Sequence, residues 1–254
     1  MPESFVKYPT QPGAAQAEAA GLRWLREAST SVVEVLAATP THIATRKVRL
    51  AMPTADAAVI AGEQLATIHL AGAPAFGSPP PDWDGPNYIG TQQQPCIPTD
   101  DWASFYVEQR VAPFVAAATD RGNLSDPEGV IDRALECIIH HDFAVRTPAR
   151  IHGDLWRGNL IYEHTPSGVK PVFIDPAAHG GHPETDLAML ALFGADYFEH
   201  IIAGYHTIAP LPDTWQEHIP IHQLHPLAVH AVTHSAAYGD ELVSCARRVV
   251  ALLG

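Results

Sequence analysis

The sequence predicts an α+β fold in which a few short strands near the N-terminus give way to a mainly helical remainder. Three observations predict it. Short β-favouring runs separated by turn residues cluster in the first 50 residues. Apolar residues at helical spacing recur from residue 55 onward. Within that helical part, Ile151 to Asp175 (IHGDLWRGNLIYEHTPSGVKPVFID) reads as loop, strand, turn, strand and a closing carboxylate.

In chain order, Ser4-Phe5-Val6-Lys7 is a short strand cut off by Pro9 and Pro12. Ala14–Ala28 is Ala-rich and helix-favouring, with Leu22 and Leu25 at helical spacing, Trp24 beside them and Glu18 in its first half. Val32–Ala38 and His42–Leu50 read as strands around a Thr39-Pro40-Thr41 turn. Met52-Pro53 ends the second, and Thr54 is placed to cap a helix from Ala55 to Leu70 that buries Val59, Ile60, Leu65 and Ile68. Gly72–Asp100, with prolines at 79 to 81, reads as a long irregular stretch anchored by Trp83, Tyr88 and Ile89.

Asp100 or Asp101 caps the next helix, which carries Trp102, Phe105 and Tyr106 and which Pro113 is expected to kink or divide. Another helix is predicted from Asp126 to His141. Beyond Asp175, Gly180-Gly181 permits a tight turn, and Thr185 or Asp186 can cap the helix of Leu187, Leu190 and Phe193. Tyr197 to Gly254 reads as helical with interruptions at Pro210, Pro212, Pro220 and Pro226. The i, i+4 pairs His218/His222 and His230/His234 lack the glutamate and cysteines of zinc motifs, so they read as packing residues.

Fifteen Lys and Arg against 28 Asp and Glu give a net charge of −13, which argues against a nucleic-acid partner. No signal-peptide core and no run of about 18 apolar residues is present, so a cytoplasmic location without membrane attachment is expected. The three cysteines are far apart and suggest reduced thiols.

Asp154, Asn159 five residues later, and Asp175 at the end of the following strand suit phosphoryl transfer. Asp154 orients an attacking hydroxyl and accepts its proton, while Asn159 and Asp175 offer hard oxygen ligands to a Mg²⁺ that neutralises nucleotide phosphates. A lysine on a strand followed by a glutamate on the next helix, Lys7 and Glu18, is the pairing that holds nucleotide phosphates in kinases. Asp186 has two readings: it caps its helix, or its carboxylate braces the His152 loop by accepting backbone N–H bonds.

With HGDLWRGN from His152 and FIDPAAHGGHPETDLAMLALFG from Phe173, the sequence resembles the fructosamine kinase family, also called ketosamine-3-kinases, distant relatives of aminoglycoside and choline phosphotransferases. The Trp after HGDL separates this family from those relatives. Agreement extends through FVK from Phe5, EAAGLRWL from Glu18, LATIHLAGAPAFG from Leu65, NYIGTQQQ from Asn87, DWASFYVEQRVAP from Asp101, YHTIAPL from Tyr205 and HQLHPLAVHAV from His222.

The resemblance implies a two-lobed, protein-kinase-like fold: a truncated β small lobe over residues 1–52 and a mainly α-helical large lobe over 53–254, with ATP and Mg²⁺ as cofactors. It implies phosphorylation of the C3 hydroxyl of a ketosamine, a fructosamine or ribulosamine adduct, in deglycation. Lys7 and Glu18 match the phosphate-binding pair, Asp154 the base, and Asn159 and Asp175 the magnesium ligands. Trp156 and Arg157 are candidate substrate contacts, and His152 and Asp186 candidate supports. Departures are Arg157 where the family usually has Ser, Arg46-Lys47 where a Glu often precedes the hinge near Ala51 and Met52, and a Gly-rich turn with two strands that the family carries before the Phe-Val-Lys strand. If that segment is lacking, the alternative is a non-catalytic pseudokinase; a kinase for an aminoglycoside-like or choline-like compound is a second alternative.

Overall fold

A computed structural model describes residues 3–143 and 147–254. By contacts the chain groups into two compact units, Met1–Pro98 with Thr147–Leu211, and Thr99–Arg146 with Pro212–Gly254. The fold is α+β, and all strands among the described residues lie in the first unit.

In that unit strands β1 (Ser4–Lys7), β2 (Val35–Ala38) and β3 (Ile43–Arg46) form an antiparallel sheet in the order β1-β3-β2. Ser4 faces Arg46 and Lys7 faces Ile43, so the register fixes where the lysine projects. The second and third strands are shorter than the sequence suggests, because Thr39 accepts from the turn at Thr41 and His42 and a bulge interrupts pairing between Val35 and Ala37. Helix α1 (Ala14–Ala28) and helix α2 (Ala55–Leu70) run as predicted, and Thr54 caps α2 through Ala57 N at 3.2 Å.

The stretch expected to be irregular contains a hairpin, β4 (Asn87–Ile89) and β5 (Gln92–Gln94), that turns at Gly90, φ +56°. Strands of three residues, one Asn-Tyr-Ile and the other Gln-Gln-Gln, are too short to carry apolar alternation, so nothing in the local pattern announces them. Strand β6 (Ala149–Ile151) pairs with β9 (His179–Gly181), and β7 (Leu160–Thr165) forms a hairpin with β8 (Gly168–Phe173). Gly180-Gly181 is therefore extended strand, not a turn. A Cβ at Gly180 would lie 2.0 Å from the Ala75 carbonyl oxygen, so the glycine serves close backbone approach. The β7–β8 hairpin is tied to both neighbours, by Val33 N to Phe173 O and by Ala51 N to Tyr162 O. Arg46 grips it with two bonds to the Glu163 carboxylate, at 2.5 and 2.8 Å.

Helix α3 (Glu184–Phe193) begins without a side-chain cap, and α4 (Phe198–Ile208) packs on α2 through glycines. A Cβ on Gly62 would lie 1.9 Å from the Ile201 carbonyl oxygen, and one on Gly204 would lie 2.0 Å from that of Val59. Small residues at both points let the two backbones touch.

The second unit is helical. Residues 102–120 form one continuous helical run that Pro113 does not divide. The run instead widens into a π turn over Tyr106–Val111, just before the proline that cannot donate its N–H. Asp101 is the cap, accepting from Ser104 N at 2.7 Å. A helix over Val130–His140 starts later than predicted, and Asp126 accepts from Ile131 N at its head. Pro220 and Pro226 lie inside one helix, Trp215–Thr233, followed by Ala236–Leu253. The Tyr106 hydroxyl donates to Ile221 O at 2.7 Å and accepts from His225 N at 3.2 Å, so it bridges the rung beside Pro226 and lets the helix continue. His222 and His225 are buried against Trp102, Tyr106 and Phe114, in keeping with a packing role. No helix among the described residues is long and apolar enough to cross a membrane.

Gly62→Ala forces a methyl into the α4 backbone and is expected to destabilise the protein by about 1–3 kcal/mol. Chemical denaturation checks this, and an unchanged midpoint would contradict the close approach of α2 and α4.

Candidate active site

The site forms where the β1–β3 sheet edge, α1, the His152–Asn159 loop and the end of β8 meet, all within the first unit. Lys7 leaves the end of β1, and its Nζ lies 2.6 Å from Glu18 Oε2 on α1 and 3.1 Å from Asp175 Oδ2. Burial opposes the lysine charge, but the Glu18 and Asp175 carboxylates outweigh it and hold the ammonium pKa above its usual value.

Asp175 follows β8 in the left-handed region, φ +53°. A non-glycine residue there costs roughly 1–2 kcal/mol and persists only where its neighbours fix it. On its N-terminal side Ile174 N donates to Asn159 O at 3.0 Å. The Asn159 amide donates to Asp154 O at 2.8 Å, to Asp154 Oδ2 at 3.3 Å and to Asp175 O at 3.4 Å, so this one side chain links the loop to the strand end.

His152 and Asp186 complete the frame. The His152 ring accepts from Asp154 N through Nδ1 at 3.3 Å and donates through Nε2 to Ile174 O at 2.9 Å. That pattern is a neutral imidazole, and burial pushes its pKa down accordingly. Asp186, in the first turn of α3, does not cap that helix. Its fully buried carboxylate accepts from His152 N at 2.7 Å and Gly153 N at 2.9 Å. His69 Nε2 donates to it at 3.0 Å while Nδ1 accepts from the Tyr205 hydroxyl at 2.8 Å. Burial works against the Asp186 charge, yet these bonds hold its pKa below the usual value. Gly153, φ +80°, would press a Cβ to within 2.3 Å of Ala177 O, so only glycine fits.

Asp154, Asn159, Asp175, Lys7 and Glu18 all line one cleft of about 490 Å³. Burial, followed by the charges of Asp175 and Asp186, pushes the Asp154 carboxyl up to about 8. Trp156 also lines the cleft, with its ring folded over Gly158 and 41% exposed. Arg157 is exposed and is not among the lining residues. The sequence reading missed two contributors: the β4–β5 hairpin, which brings Asn87, Tyr88, Gly90 and Thr91 to the cleft, and His69, which orients Asp186 from α2. Neither carries a local signal, since each matters only through a partner far along the chain.

A family profile described as fructosamine kinase matches residues 3–253. A protein of Enterococcus faecium named a probable ketoamine kinase is 33% identical over 183 residues, covering 70% of this chain and 62% of the relative. A Synechocystis protein of the same designation is 36% identical over 180 residues, covering 70% of this chain and 56% of the relative. The match therefore spans little more than half of those relatives' length. Among solved structures, one from Thermobifida fusca, provisionally assigned as a fructosamine-3-kinase, is 41% identical with a TM-score of 0.89, covering 98% of this chain and 85% of that one. A choline kinase of Streptococcus pneumoniae, 15% identical, shares the fold at a TM-score of 0.63, covering 98% of this chain and 86% of that one.

Because Asp154 keeps its proton to about pH 8 when folded and ordinarily releases it near 3.8, folding stability falls as pH rises between those values, and the loss is complete above the folded one. Asp154→Asn removes the ionisation. It is expected to raise the melting temperature of the metal-free protein at pH 8 by about 2–4 °C, equivalent to ~1 kcal/mol in a chain of this size, with the gain vanishing towards pH 4. Thermal melts across that range check it; a gain that does not depend on pH would contradict the assigned shift.

Proposed function

The chain belongs to the fructosamine kinase family, and from that premise we propose that it transfers the γ-phosphoryl group of ATP, with Mg²⁺, to the C3 hydroxyl of ketosamines. These are fructosamine or ribulosamine adducts of protein or small-molecule amines, and the reaction serves deglycation. The observation that carries the reading is the convergence of Lys7, Glu18, Asp154, Asn159 and Asp175 on one cleft. In this reading residues 1–52 are the small lobe, residues 53–254 the large lobe, and the protein works in the cytoplasm.

The donor set suits the metal. Three carboxylates stand against one lysine, and the neighbouring carboxylates add to burial in raising the Asp154 pKa; hard oxygen donors of this kind suit a small dication. Asp175 and Asn159 would hold Mg²⁺, which supplies charge neutralisation to the nucleotide phosphates. Lys7, oriented by Glu18, binds phosphate oxygens. Asp154 receives the proton of the C3 hydroxyl and aligns that oxygen for attack. Since the Asp175 charge helps raise the Asp154 pKa, neutralising Asp175 with a bound cation would favour the ionised base. The exposed face of Trp156 stacks on the sugar portion of the adduct, and Arg157, beside it, meets groups further out.

Asp154→Asn is expected to lower turnover of a synthetic fructosamine by about 10²–10⁴-fold, and wild-type turnover in that variant would overturn the mechanism. Trp156→Ala is expected to raise KM for the ketosamine ~10-fold, about 1.4 kcal/mol, with KM for ATP unchanged. A panel of ketosamines, aminoglycosides and choline checks the substrate class; preference for either of the latter would refute it.

A further inference from the structure

The β4–β5 hairpin has no part in the mechanism above, yet it touches the segment on which the metal ligand depends. Asn87 and Gln94 are cross-strand partners at the base of the hairpin, so both side chains project from the same face. Both are buried. Gln94 Nε2 donates to Asn87 Oδ1 at 2.8 Å, which leaves the Asn87 amide nitrogen directed at the Ala178 carbonyl oxygen, 3.3 Å away. Ala178 lies three residues beyond Asp175, and Asn87 itself lines the cleft.

Two features bear on what this relay does. Gln94 Oε1 is buried without a hydrogen-bond partner, a cost borne while the other end of the amide holds Asn87. Asp175 is in the left-handed region, which neighbours must impose from both sides. Asn159 anchors the N-terminal side, at Ile174 N. On the C-terminal side, Pro176 and Ala178 pass close to Gly21 of α1, the His179 ring bonds the Ala177 carbonyl through Nδ1 at 2.7 Å, and Asn87 bonds the carbonyl of Ala178.

We infer that Asn87, held by Gln94, is a positioning residue that sets Asp175 for metal binding by fixing the Ala178 carbonyl. The inference rests on the metal role proposed above for Asp175. It acts through backbone, so Asn87 touches no reacting atom.

The test uses Mn²⁺ as the probe, with a non-hydrolysable ATP analogue saturating the full chain, and reads Mn²⁺ affinity by electron paramagnetic resonance. Gln94→Leu removes the buried unpaired oxygen together with the grip on Asn87. It is expected to leave the melting temperature unchanged or raised while weakening Mn²⁺ about threefold, whereas a merely structural role would move the melting temperature and not the affinity. Asn87→Leu is expected to weaken Mn²⁺ about tenfold, and Asn87→Ser, which keeps a donor, to recover part of that loss. Trp83→Phe, which cuts the bond to Pro86 O in the loop before the hairpin, is expected to leave Mn²⁺ affinity unchanged. Wild-type affinity in Gln94→Leu and in whichever Asn87 variants fold would overturn the inference while leaving the proposed function standing. If the wild-type chain fails to bind Mn²⁺ with the nucleotide analogue, the metal role of Asp175 falls, and the inference falls with it.

Discussion

The candidate site depends first on one buried carboxylate. Asp186 accepts the backbone N–H groups of His152 and Gly153 and is itself oriented by His69 and Tyr205. An ionised group at this depth is tolerable only when several donors replace its water, and three do so. The consequence runs outward. With two successive N–H groups fixed, Gly153 is held at φ +80°, and the loop presents Asp154 to the cleft.

A second constraint is the left-handed backbone at Asp175. It turns the carboxylate back towards Lys7 as the chain leaves β8, and the surrounding segments must hold it there. His152 and Asn159 do this from the loop side, each bonding to the 174–175 backbone. The two acidic residues are thus joined by a short network of neutral side chains, so their separation is set by hydrogen bonds and not by the repulsion between them. Burial raises the Asp154 pKa first and that repulsion adds to it, a local loss of stability kept at the cleft.

Close backbone contacts recur wherever elements cross in the first unit. Gly21 lies against Ala178, Gly62 and Gly204 against each other's helices, and Gly180 against Ala75. Each glycine substitutes proximity for side-chain packing, which keeps α1, α2 and the 175–181 segment in fixed relation to the loop. In the second unit the comparable device is polar: the Tyr106 hydroxyl repairs a helix rung beside Pro226, and a π turn takes up the strain before Pro113.

Much of this was legible in the residues themselves. Helices Ala14–Ala28 and Ala55–Leu70 have the predicted limits because their periodicity and the Thr54 cap are local signals. The HGDLWRGN loop and the two strands that deliver Asp175 follow from turn chemistry and short-range pattern, and Lys7 and Glu18 are singled out by element order taken together with that motif and the family resemblance. What sequence could not decide was anything that needs a distant partner. The extended glycines at 180 and 181, the uninterrupted helix through prolines 220 and 226, and the choice between capping and bracing for Asp186 were settled by contacts tens to more than a hundred residues apart, whereas the β4–β5 hairpin pairs near neighbours and goes unannounced for want of an apolar pattern. A side chain's type and spacing dictate what it can offer; only the packed chain decides which backbone groups lie within 3 Å to receive it.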